Sequence, residues 1–332
     1  MKITFFSAKP YDKEFFVKGN TDFGFEFTFF ETHLGPHVVQ AVENTDAICV
    51  FVNDKVNQQV IEVLAKKGVK VIALRCAGFN NVDLEAAKAH NIHVCRVPAY
   101  SPEAVAEHAL AMILTLNRKT HKAYNRVREQ NFSLQGLLGF TMKGKTVGVI
   151  GTGHIGAEFC KIMLGMGCHV IAYDVQVNTE LVNKGIQYFP LEEVLKQSDI
   201  VSLHCPLMPQ THHLINATTL STMKKGAMLI NTSRGGLIDT HAVIESLKEQ
   251  HLGYLGIDVY EQEEKIFFRD LSENIIADDT LQLLMSFPNV LVTAHQAFFT
   301  REALEQITEV TLNNVYQLMH HKNIDTTGAL LV

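Results

Sequence analysis

The sequence predicts an α/β protein in which short parallel strands alternate with helices in two domains. Two observations lead to this prediction: apolar β-like runs separated by segments of helical periodicity, and a break in that alternation near residue 100. Strands joined through helices form a parallel sheet, because the chain must cross back before each new strand. Within the first hundred residues the expected strands are 2–6, 47–52, 69–74 and 92–94, and the expected helices are 58–67 and 83–90.

The segment from Pro98 to Pro102 marks the expected domain boundary. Ser101 suits a helix N-cap and Pro102 suits the first helical turn. The run 103–117 that follows is apolar nearly all round, which predicts a buried helix. We expect this helix also to contribute to a homodimer interface or to a higher homo-oligomer.

From Lys145 onward the alternation of strands and helices resumes. Six strands are the number that a doubly wound nucleotide-binding sheet uses. The six strand-like runs are 146–150, 169–173, 200–204, 227–231, 254–257 and 290–293. A final helix is expected from Arg301 to Met319, and the charged segment 262–281 is expected to be a surface excursion.

Composition restricts the partners of the chain. The 332 residues are 47% hydrophobic and 19% charged, with a net charge of −6, which argues for a globular protein and against nucleic-acid or anionic-membrane binding. The basic residues between 118 and 128 carry no interleaved aromatic beyond Tyr124 and predict a solvated helix face. Six scattered cysteines without a CxxC pair, and no signal peptide, predict a cytoplasmic protein with reduced thiols.

A glycine motif opens the second sheet. Gly151, Gly153 and Gly156 form a GxGxxG pattern between an apolar strand and a helix. Gly151 allows the tight turn, Gly153 lets a pyrophosphate approach the backbone, and Gly156 allows close packing of helix on strand. The helix N-terminus then offers N–H groups to the phosphates, so the motif predicts a dinucleotide site.

The next strand ends at Asp174, where a carboxylate can accept hydrogen bonds from both ribose hydroxyls. A carboxylate also repels a 2′-phosphate, so NAD is the expected cofactor. The segment 139–146 satisfies the P-loop pattern GxxxxGK[ST], but it runs into a strand where a true P-loop runs into a helix. We therefore interpret Gly144 as part of a turn.

Polar residues follow other strands at the edge where such a sheet binds its ligands. Arg234 can bind a carboxylate with two parallel hydrogen bonds, and His295 can exchange a proton with an oxygen at C2 of a 2-oxo acid. A glutamate of the run Glu261, Glu263 and Glu264 could orient the imidazole, although spacing alone does not choose among the three. Taken singly, each residue could instead cap a turn, fill the core or face solvent.

No metal site is expected. The histidine pairs lack a third ligand at a recognisable spacing. These pairs are His212 with His213, His320 with His321, and His90 with His93.

Six segments together resemble the D-isomer-specific 2-hydroxy acid dehydrogenases over essentially the whole chain. They are residues 75–83 (RCAGFNNVD), 98–107 (PAYSPEAVAE), 151–156 (GTGHIG), 231–236 (NTSRGG), 258–263 (DVYEQE) and 293–299 (TAHQAFF). Segments 97–102, 258–261 and 295–298 look most like the lactate branch of the family. Gln296 and Gly236 depart from residues that many relatives carry at these positions.

The resemblance implies reversible reduction of pyruvate to D-lactate by NADH, in an active cleft between two domains. It implies a flavodoxin-like substrate domain from 1–100, a Rossmann-type NAD-binding domain from 101–298, and a C-terminal helix in 299–332 that returns to the substrate domain. The implied catalytic residues are Arg234, Glu263 and His295. The implied cofactor contacts, beyond the glycines and Asp174, are His154, Ile155, Cys205, Pro206, Thr211, Thr232, Ser233 and Asp258. The implied substrate contacts, in addition to Arg234 and His295, are Ala77, Gly78, Tyr100 and Phe298.

Two alternatives stay open. Phe51, Tyr100 and Phe298 suggest a small apolar pocket, but one methylene discriminates only about 10–200-fold, so an enzyme for bulkier D-2-hydroxy acids is the closest alternative. From another class, an NAD-sensing interaction protein could retain the same residues, since fold alone does not decide function.

Overall fold

Two parallel sheets organise the chain, each within its own compact unit. The computed structural model describes residues 1–320, 324 and 328–332. One unit comprises Met1–Ser101 with Phe299–Val332, and the other comprises Pro102–Phe298. Residues 321–323 and 325–327 of the expected C-terminal segment, and with them His321, lie outside the described residues.

The first unit contains a five-stranded parallel sheet in the order β2-β1-β3-β4-β5. The central strands β3 and β4 are buried along their whole length, as expected of apolar runs covered on both faces. The strands are β1 (Lys2–Phe5), β2 (Glu26–Phe29), β3 (Ala47–Val50), β4 (Val71–Leu74) and β5 (His93–Arg96). Three helices connect them, α1 (Pro10–Gly19), α2 (Gln58–Lys66) and α3 (Leu84–Ala89).

Four elements of this unit match the expected strands, but β2 and α1 were not predicted. Strand β2 is an edge strand with no fully buried residue, so it lacks the apolar run that reveals the others. The N-caps of the two predicted helices are Asn57 and Asp83, whose side chains accept hydrogen bonds from the first helical turn.

The second unit contains a seven-stranded parallel sheet in the order β12-β11-β10-β9-β6-β7-β8. Its strands are β6 (Thr146–Ile150), β7 (His169–Tyr173), β8 (Gln187–Tyr188), β9 (Ile200–Leu203), β10 (Met228–Asn231), β11 (Tyr254–Ile257) and β12 (Val290–Val292). Six were predicted, and the seventh, β8, has only two residues and leaves no pattern. The order reverses between β6 and β9, which makes the carboxyl ends of these two strands the expected ligand-binding edge.

The helices of the second unit cover both faces of its sheet. They are α4 (Pro102–Arg118), α5 (Thr120–Arg128), α6 (His154–Gly165), α7 (Thr179–Asn183), α8 (Leu191–Gln197), α9 (Ala217–Thr222), α10 (Thr240–Lys248) and α11 (Asp279–Ser286). Helix α4 packs along α6 and against β10 and β11. The expected buried helix is therefore present. Helix α5 carries Lys122, Arg126 and Arg128 of the basic stretch and has no buried side chain.

The mixed α/β fold with two parallel sheets is confirmed. The last helix, α12 (Arg301–Met319), packs on α1, β4 and β5 within the first unit. Gly144 has a φ of +82° in the turn before β6, so the P-loop pattern here precedes a strand. None of the helices in the described part of the chain combines the length and apolarity that a membrane-spanning segment needs.

The segment 262–281 is anchored to the second unit, and its prediction as a surface excursion is only partly right. Ile275 is 98% exposed, but Phe267 is 5% exposed and joins the core beneath β10 and β11. A single 3-10 turn, Glu263–Lys265, starts the segment. Because the neighbouring residues are charged, the sequence pattern did not predict that Phe267 is buried.

Candidate active site

The turn between β6 and α6 is shaped to accept a phosphate group. Gly151 has a φ of +91°, and a Cβ there would lie 2.6 Å from the backbone nitrogen of Cys205. A Cβ at Gly156 would lie 2.0 Å from the carbonyl oxygen of Gly151, so both positions require glycine. Gly153, the N-cap of α6, faces open space, which leaves room for a pyrophosphate against the backbone.

Two further residues expected to contact NAD begin α6. His154 is exposed at the start of the helix, and Ile155 is half-buried behind it. Both lie in the first helical turn, where N–H groups have no partner within the helix. The turn therefore brings together all the predicted phosphate-site residues.

Asp174 lies directly after β7 with its carboxylate fixed by the phosphate turn. Its Oδ2 atom accepts hydrogen bonds from the backbone N of Thr152 at 2.5 Å and from Thr152 Oγ1 at 3.1 Å. The Tyr188 hydroxyl donates to Thr152 Oγ1 at 2.9 Å. A fixed carboxylate at this strand end suits the ribose hydroxyls and disfavours a 2′-phosphate.

The remaining cofactor candidates follow β9 and β10. Ser233 Oγ donates to the carbonyl of Cys205 at 2.7 Å, and Thr211 Oγ1 donates to the carbonyl of Pro206 at 2.7 Å, so both hydroxyls hold the loop after β9 in place. Burial raises the pKa of Cys205 to about 11, so this thiol is neutral and not a nucleophile.

Thr232 offers an independent indication that a ligand belongs at this edge. Its Oγ1 atom is buried and finds no hydrogen-bond partner among the described residues. An unpaired buried hydroxyl costs roughly 1–3 kcal/mol. A polar group of a bound NAD at the carboxyl end of β10 would relieve that cost, so the residues present fit this cofactor.

His295 and Glu263 form a hydrogen-bonded pair in the second unit. The distance from His295 Nδ1 to Glu263 Oε1 is 2.8 Å, and the two side chains are 14% and 15% exposed. A carboxylate only accepts hydrogen bonds, so Nδ1 must carry the proton and Nε2 is left for proton exchange with a ligand. The other Glu263 oxygen accepts a hydrogen bond from the backbone N of Tyr260 at 2.9 Å.

The structure distinguishes Glu263 from Glu261, which spacing alone did not. Glu261 lies at 2.7 Å from His213 and accepts a hydrogen bond from the backbone of Thr240, so its carboxylate is engaged away from His295. The two glutamates are separated by one residue and belong to different networks.

Asp258 organises the turn that carries His295. His295 has a φ of +51°, and its backbone N donates to the carbonyl of Asp258 at 2.7 Å. The Asp258 carboxylate accepts hydrogen bonds from the backbone N of Gln296 and of Ala297, each at 2.9 Å. These three hydrogen bonds to Asp258, two to its carboxylate and one to its carbonyl, hold the left-handed turn at His295 in one conformation.

Two residues that sequence reasoning missed complete the surroundings of Asp258. Thr293 Oγ1 donates to the carboxylate at 2.5 Å, and His108 Nε2 of α4 lies 3.4 Å from it. Although burial acts to raise the pKa of Asp258, hydrogen bonds from His108 and Thr293 hold it below its ordinary value. The carboxylate is therefore ionised at neutral pH.

Arg234 follows β10 on a loop that packs tightly against the loop of Glu263. A Cβ at Gly235 would lie 2.2 Å from the carbonyl carbon of Tyr260, so only glycine permits this approach. The Asn231 side chain donates to the Arg234 carbonyl at 2.9 Å, which fixes the backbone of the loop. The same glycine thus brings the guanidinium-bearing loop next to the carboxylate-bearing one.

Two aromatic rings flank the imidazole of His295. Phe298, predicted as a substrate contact, is buried with its ring centroid 6.5 Å from that of the imidazole. Phe268 lies at 5.7 Å and was not predicted, because it occurs in the charged segment that was interpreted as surface. Together they place apolar walls beside the proton-transfer group.

The other predicted substrate contacts belong to the first unit. Arg96 donates to the carbonyl of Ala77 at 2.8 Å, and Val97 N donates to the carbonyl of Cys76 at 3.3 Å. In a trans peptide the N–H points opposite to the C=O, so the N–H groups of Ala77 and Gly78 point away from β5. This geometry suits the expected binding of a carboxylate. Tyr100 is half-buried just before α4.

Comparison with known proteins places these residues in a family context. The family model "D-isomer specific 2-hydroxyacid dehydrogenase, NAD binding domain" matches residues 110–297. The chain is 52% identical to "2-hydroxyacid dehydrogenase homolog 1" of Schizosaccharomyces pombe, covering 97% of this chain and 98% of the relative. It is 50% identical to D-lactate dehydrogenase of Escherichia coli, covering 96% and 97%.

A solved structure gives the same result in three dimensions. The apo-structure of D-lactate dehydrogenase from Escherichia coli superposes with a TM-score of 0.91, at 48% identity and with 100% of both chains covered. The similarity therefore extends over both units of the chain.

Proposed function

This chain belongs to the D-isomer specific 2-hydroxyacid dehydrogenase family, and on that premise we propose that it interconverts pyruvate and D-lactate with NAD as cofactor. The family resemblance and the NAD cofactor inferred from the sequence are thereby confirmed. The observation that supports the proposed chemistry most directly is the His295–Glu263 pair at 2.8 Å, in the same unit as the dinucleotide turn.

NAD, when bound, supplies or accepts the hydride at C2 of the substrate. Gly151, Gly153, Asp174 and Thr232 would hold it, through the open phosphate turn, the fixed carboxylate and the unpaired hydroxyl.

His295 moves the proton that accompanies the hydride. In reduction, protonated His295 donates from Nε2 to the C2 oxygen of the 2-oxo acid, and in oxidation the neutral ring removes the proton of the hydroxyl. Glu263 acts through His295, because it holds Nδ1–H and keeps Nε2 in the reacting position. Its negative charge also stabilises the imidazolium that forms in the oxidation direction.

Arg234 binds the substrate carboxylate in this proposal. A guanidinium forms two parallel hydrogen bonds to a carboxylate, which fixes the orientation of C2 as well as the affinity. The backbone N–H groups of Ala77 and Gly78 are proposed to contact the same carboxylate. Asp258 holds the turn that carries His295 and is proposed to contact the cofactor as well.

The substrate preference follows from the rings beside His295. The ring centroids of Phe268 and Phe298 lie 5.7 and 6.5 Å from that of the imidazole, and we propose that both rings line the space next to the reacting carbon. Tyr100 is proposed to be a further substrate contact. Such walls favour the methyl group of pyruvate over a longer side chain.

The experiment that tests this preference is a substrate series. Rates of NADH oxidation would be measured with pyruvate, 2-oxobutyrate, 2-oxoisocaproate and phenylpyruvate. We expect kcat/KM to be highest with pyruvate and to fall along the series by about 10–200-fold per added methylene that is rejected. A maximum at 2-oxoisocaproate or phenylpyruvate would replace pyruvate by a bulkier D-2-hydroxy acid substrate and leave the mechanism unchanged.

The second class of function, an NAD-sensing interaction protein, makes the opposite prediction. Such a protein binds NADH, but the rate of NADH oxidation does not rise when any of these acids is added. The hydrogen bond between His295 and Glu263 supplies the geometry that proton transfer requires, and turnover of a 2-oxo acid is the result that separates the two classes.

We propose that the protein forms a homodimer. The apolar side chains of α4 are largely buried within the second unit, but the segment after α5 exposes Phe132, Leu134 and Leu138 at 72%, 82% and 86%. Large apolar side chains exposed so near one another in the sequence favour an interface. A dimer in solution that Leu134→Asp with Leu138→Asp converts to monomer would support it. Ile275→Asp, at an exposed site elsewhere, is the control, and a monomeric parent protein would contradict the proposal.

We also propose that the protein acts in the cytoplasm. All six cysteines are free and buried, which suits a compartment that keeps thiols reduced. Cell fractionation that recovers the NADH-dependent activity with cytosolic markers would support this location.

A further inference from the structure

Two adjacent histidines on the loop after β9 present their rings on the same side of the chain. The ring centroids of His212 and His213 are 3.9 Å apart, with 26° between the planes. The backbone of His213 has a φ of +50°, in the left-handed region that residues other than glycine seldom adopt. The two stacked imidazoles therefore lie on a turn of unusual conformation.

Glu261 brings a carboxylate to the same place. Its Oε1 atom lies 2.7 Å from His213 Nε2. One donor atom from each of the three side chains lies within 4.8 Å of the other two. No sequence spacing could reveal this triad, because Glu261 lies 48 residues after His213.

The carboxylate of Glu261 is oriented by its second oxygen. Oε2 accepts hydrogen bonds from the Thr240 backbone N at 3.0 Å and from Thr240 Oγ1 at 2.5 Å. A carboxylate with one oxygen anchored in this way, and the other free to turn toward an ion, is the arrangement that outer contacts give to metal ligands.

We propose that His212, His213 and Glu261 form a binding site for a divalent transition metal ion of the Zn²⁺ class. Two imidazoles and one carboxylate are a ligand set that Zn²⁺ accepts, with a water at the fourth position of its tetrahedron. Ligand atoms about 2.0–2.1 Å from Zn²⁺ lie roughly 3.4 Å from one another. The distance from His213 Nε2 to Glu261 Oε1 is 2.7 Å and all three donor atoms lie within 4.8 Å of one another, so small side-chain rotations would bring them to that spacing.

The location of this triad connects it to the active-site loops. His212 directly follows Thr211, and the backbone N of His213 donates to the carbonyl of Gly236 at 2.8 Å, two residues after Arg234. Glu261 precedes Glu263 by two residues. An ion held here would cross-link the loop after β9 to the loop that carries Glu263. We therefore expect the bound ion to stabilise the folded protein and to alter turnover without taking part in hydride transfer.

The test measures metal binding directly. Metal-free protein would be titrated with Co²⁺, monitored by visible absorption, and with Zn²⁺, monitored by calorimetry. We expect one ion per chain and the intense bands of four-coordinate Co²⁺. His212→Ala and Glu261→Gln should each weaken binding at least tenfold, since even outer-sphere changes weaken metal sites about 10–100-fold. His37→Ala, at an exposed histidine elsewhere, should bind like the parent protein.

A second readout keeps the result independent of catalysis. Zn²⁺ at one equivalent should raise the melting temperature of the parent protein and leave that of His212→Ala unchanged. Equal binding by the parent protein, His212→Ala and Glu261→Gln would overturn the proposal, as would a failure of the parent protein to bind. Neither result depends on whether pyruvate is the substrate, because no substrate is present.

Discussion

Glu263 Oε1 accepts the Nδ1 proton of His295 across 2.8 Å, and this single contact fixes which imidazole nitrogen faces a ligand. Glu263→Gln replaces an acceptor-only group by an amide that can also donate, so the other tautomer becomes accessible. We expect kcat to fall on the order of a hundredfold, with the affinity for NADH unchanged. Steady-state kinetics and NADH fluorescence would measure the two quantities. Glu264→Gln, the same change one residue later on an exposed side chain, is the control, and equal losses in both variants would contradict the assignment.

His295→Ala removes the proton-transfer group itself. General acid–base catalysis contributes about 10²–10⁴-fold, so turnover should fall by that factor while NADH still binds. Single-turnover oxidation of bound NADH by pyruvate would measure the loss without interference from product release. Retention of more than a tenth of the parent rate would assign proton transfer to another residue. His169→Ala, an exposed histidine at the start of β7, serves as the control.

Arg234→Lys keeps the positive charge but removes the planar fork. The lost hydrogen bond to a charged partner is worth roughly 1.5–3 kcal/mol, so kcat/KM for pyruvate should fall tenfold or more. The loss should be smaller for a 2-oxo compound that lacks the carboxylate. Arg118→Lys, on the exposed end of α4, should change neither value. An equal loss with both substrates would show that Arg234 does not bind the carboxylate.

Asp174→Ser should relax the choice between the two nicotinamide cofactors. The variant removes the charge that repels a 2′-phosphate but keeps a small acceptor for the Thr152 backbone N. We expect the ratio of kcat/KM for NADH to that for NADPH to fall at least tenfold. Asp22→Ser, at an exposed position in the first unit, is the matched control. An unchanged ratio would mean that another group sets the preference.

His204 predicts a dependence of stability on pH. Burial lowers its pKa to about 3, whereas in the unfolded chain it titrates near 6.5. Between these values the unfolded state binds a proton that the native state does not, so the free energy of unfolding falls as the pH falls below 6.5. The loss from this group between pH 7 and pH 5 is about 2 kcal/mol.

His204→Gln removes that titration and keeps a side chain that can form a hydrogen bond with Ser202. In the parent protein Ser202 Oγ lies 2.8 Å from His204 Nε2. Urea unfolding at pH 7 and pH 5 should show a smaller difference for the variant than for the parent protein. A difference of the same size in both would show that His204 does not contribute to the acid sensitivity. His37→Gln, at an exposed site, should retain the full difference.

Features imposed by steric or solvent exclusion were predictable from the sequence. Gly151 and Gly156 occur where a Cβ would overlap backbone atoms, so the turn requires glycine at both positions and the motif predicts the turn. Central strands such as β3 and β10 are buried on both faces and therefore appear as apolar runs. Asp174 was predictable because its place at a strand end follows from the period of the fold.

Contacts between residues that are far apart in the sequence were not predictable from residue patterns. Tyr188, in a two-residue strand, donates a hydrogen bond to Thr152, and His108 of α4 contacts Asp258. No local sequence pattern predicts either contact. The choice of Glu263 over Glu261 rests on which carboxylate meets His295 in space. The family resemblance implied Glu263, but spacing along one loop leaves that choice open until the fold is known.

The central claim is tested most directly by the product of pyruvate reduction. Purified protein would be incubated with NADH and pyruvate, and the lactate formed would be separated on a chiral column. We expect D-lactate alone, formed in amounts equal to the NADH consumed. The appearance of L-lactate, or NADH binding without lactate formation, would contradict the account.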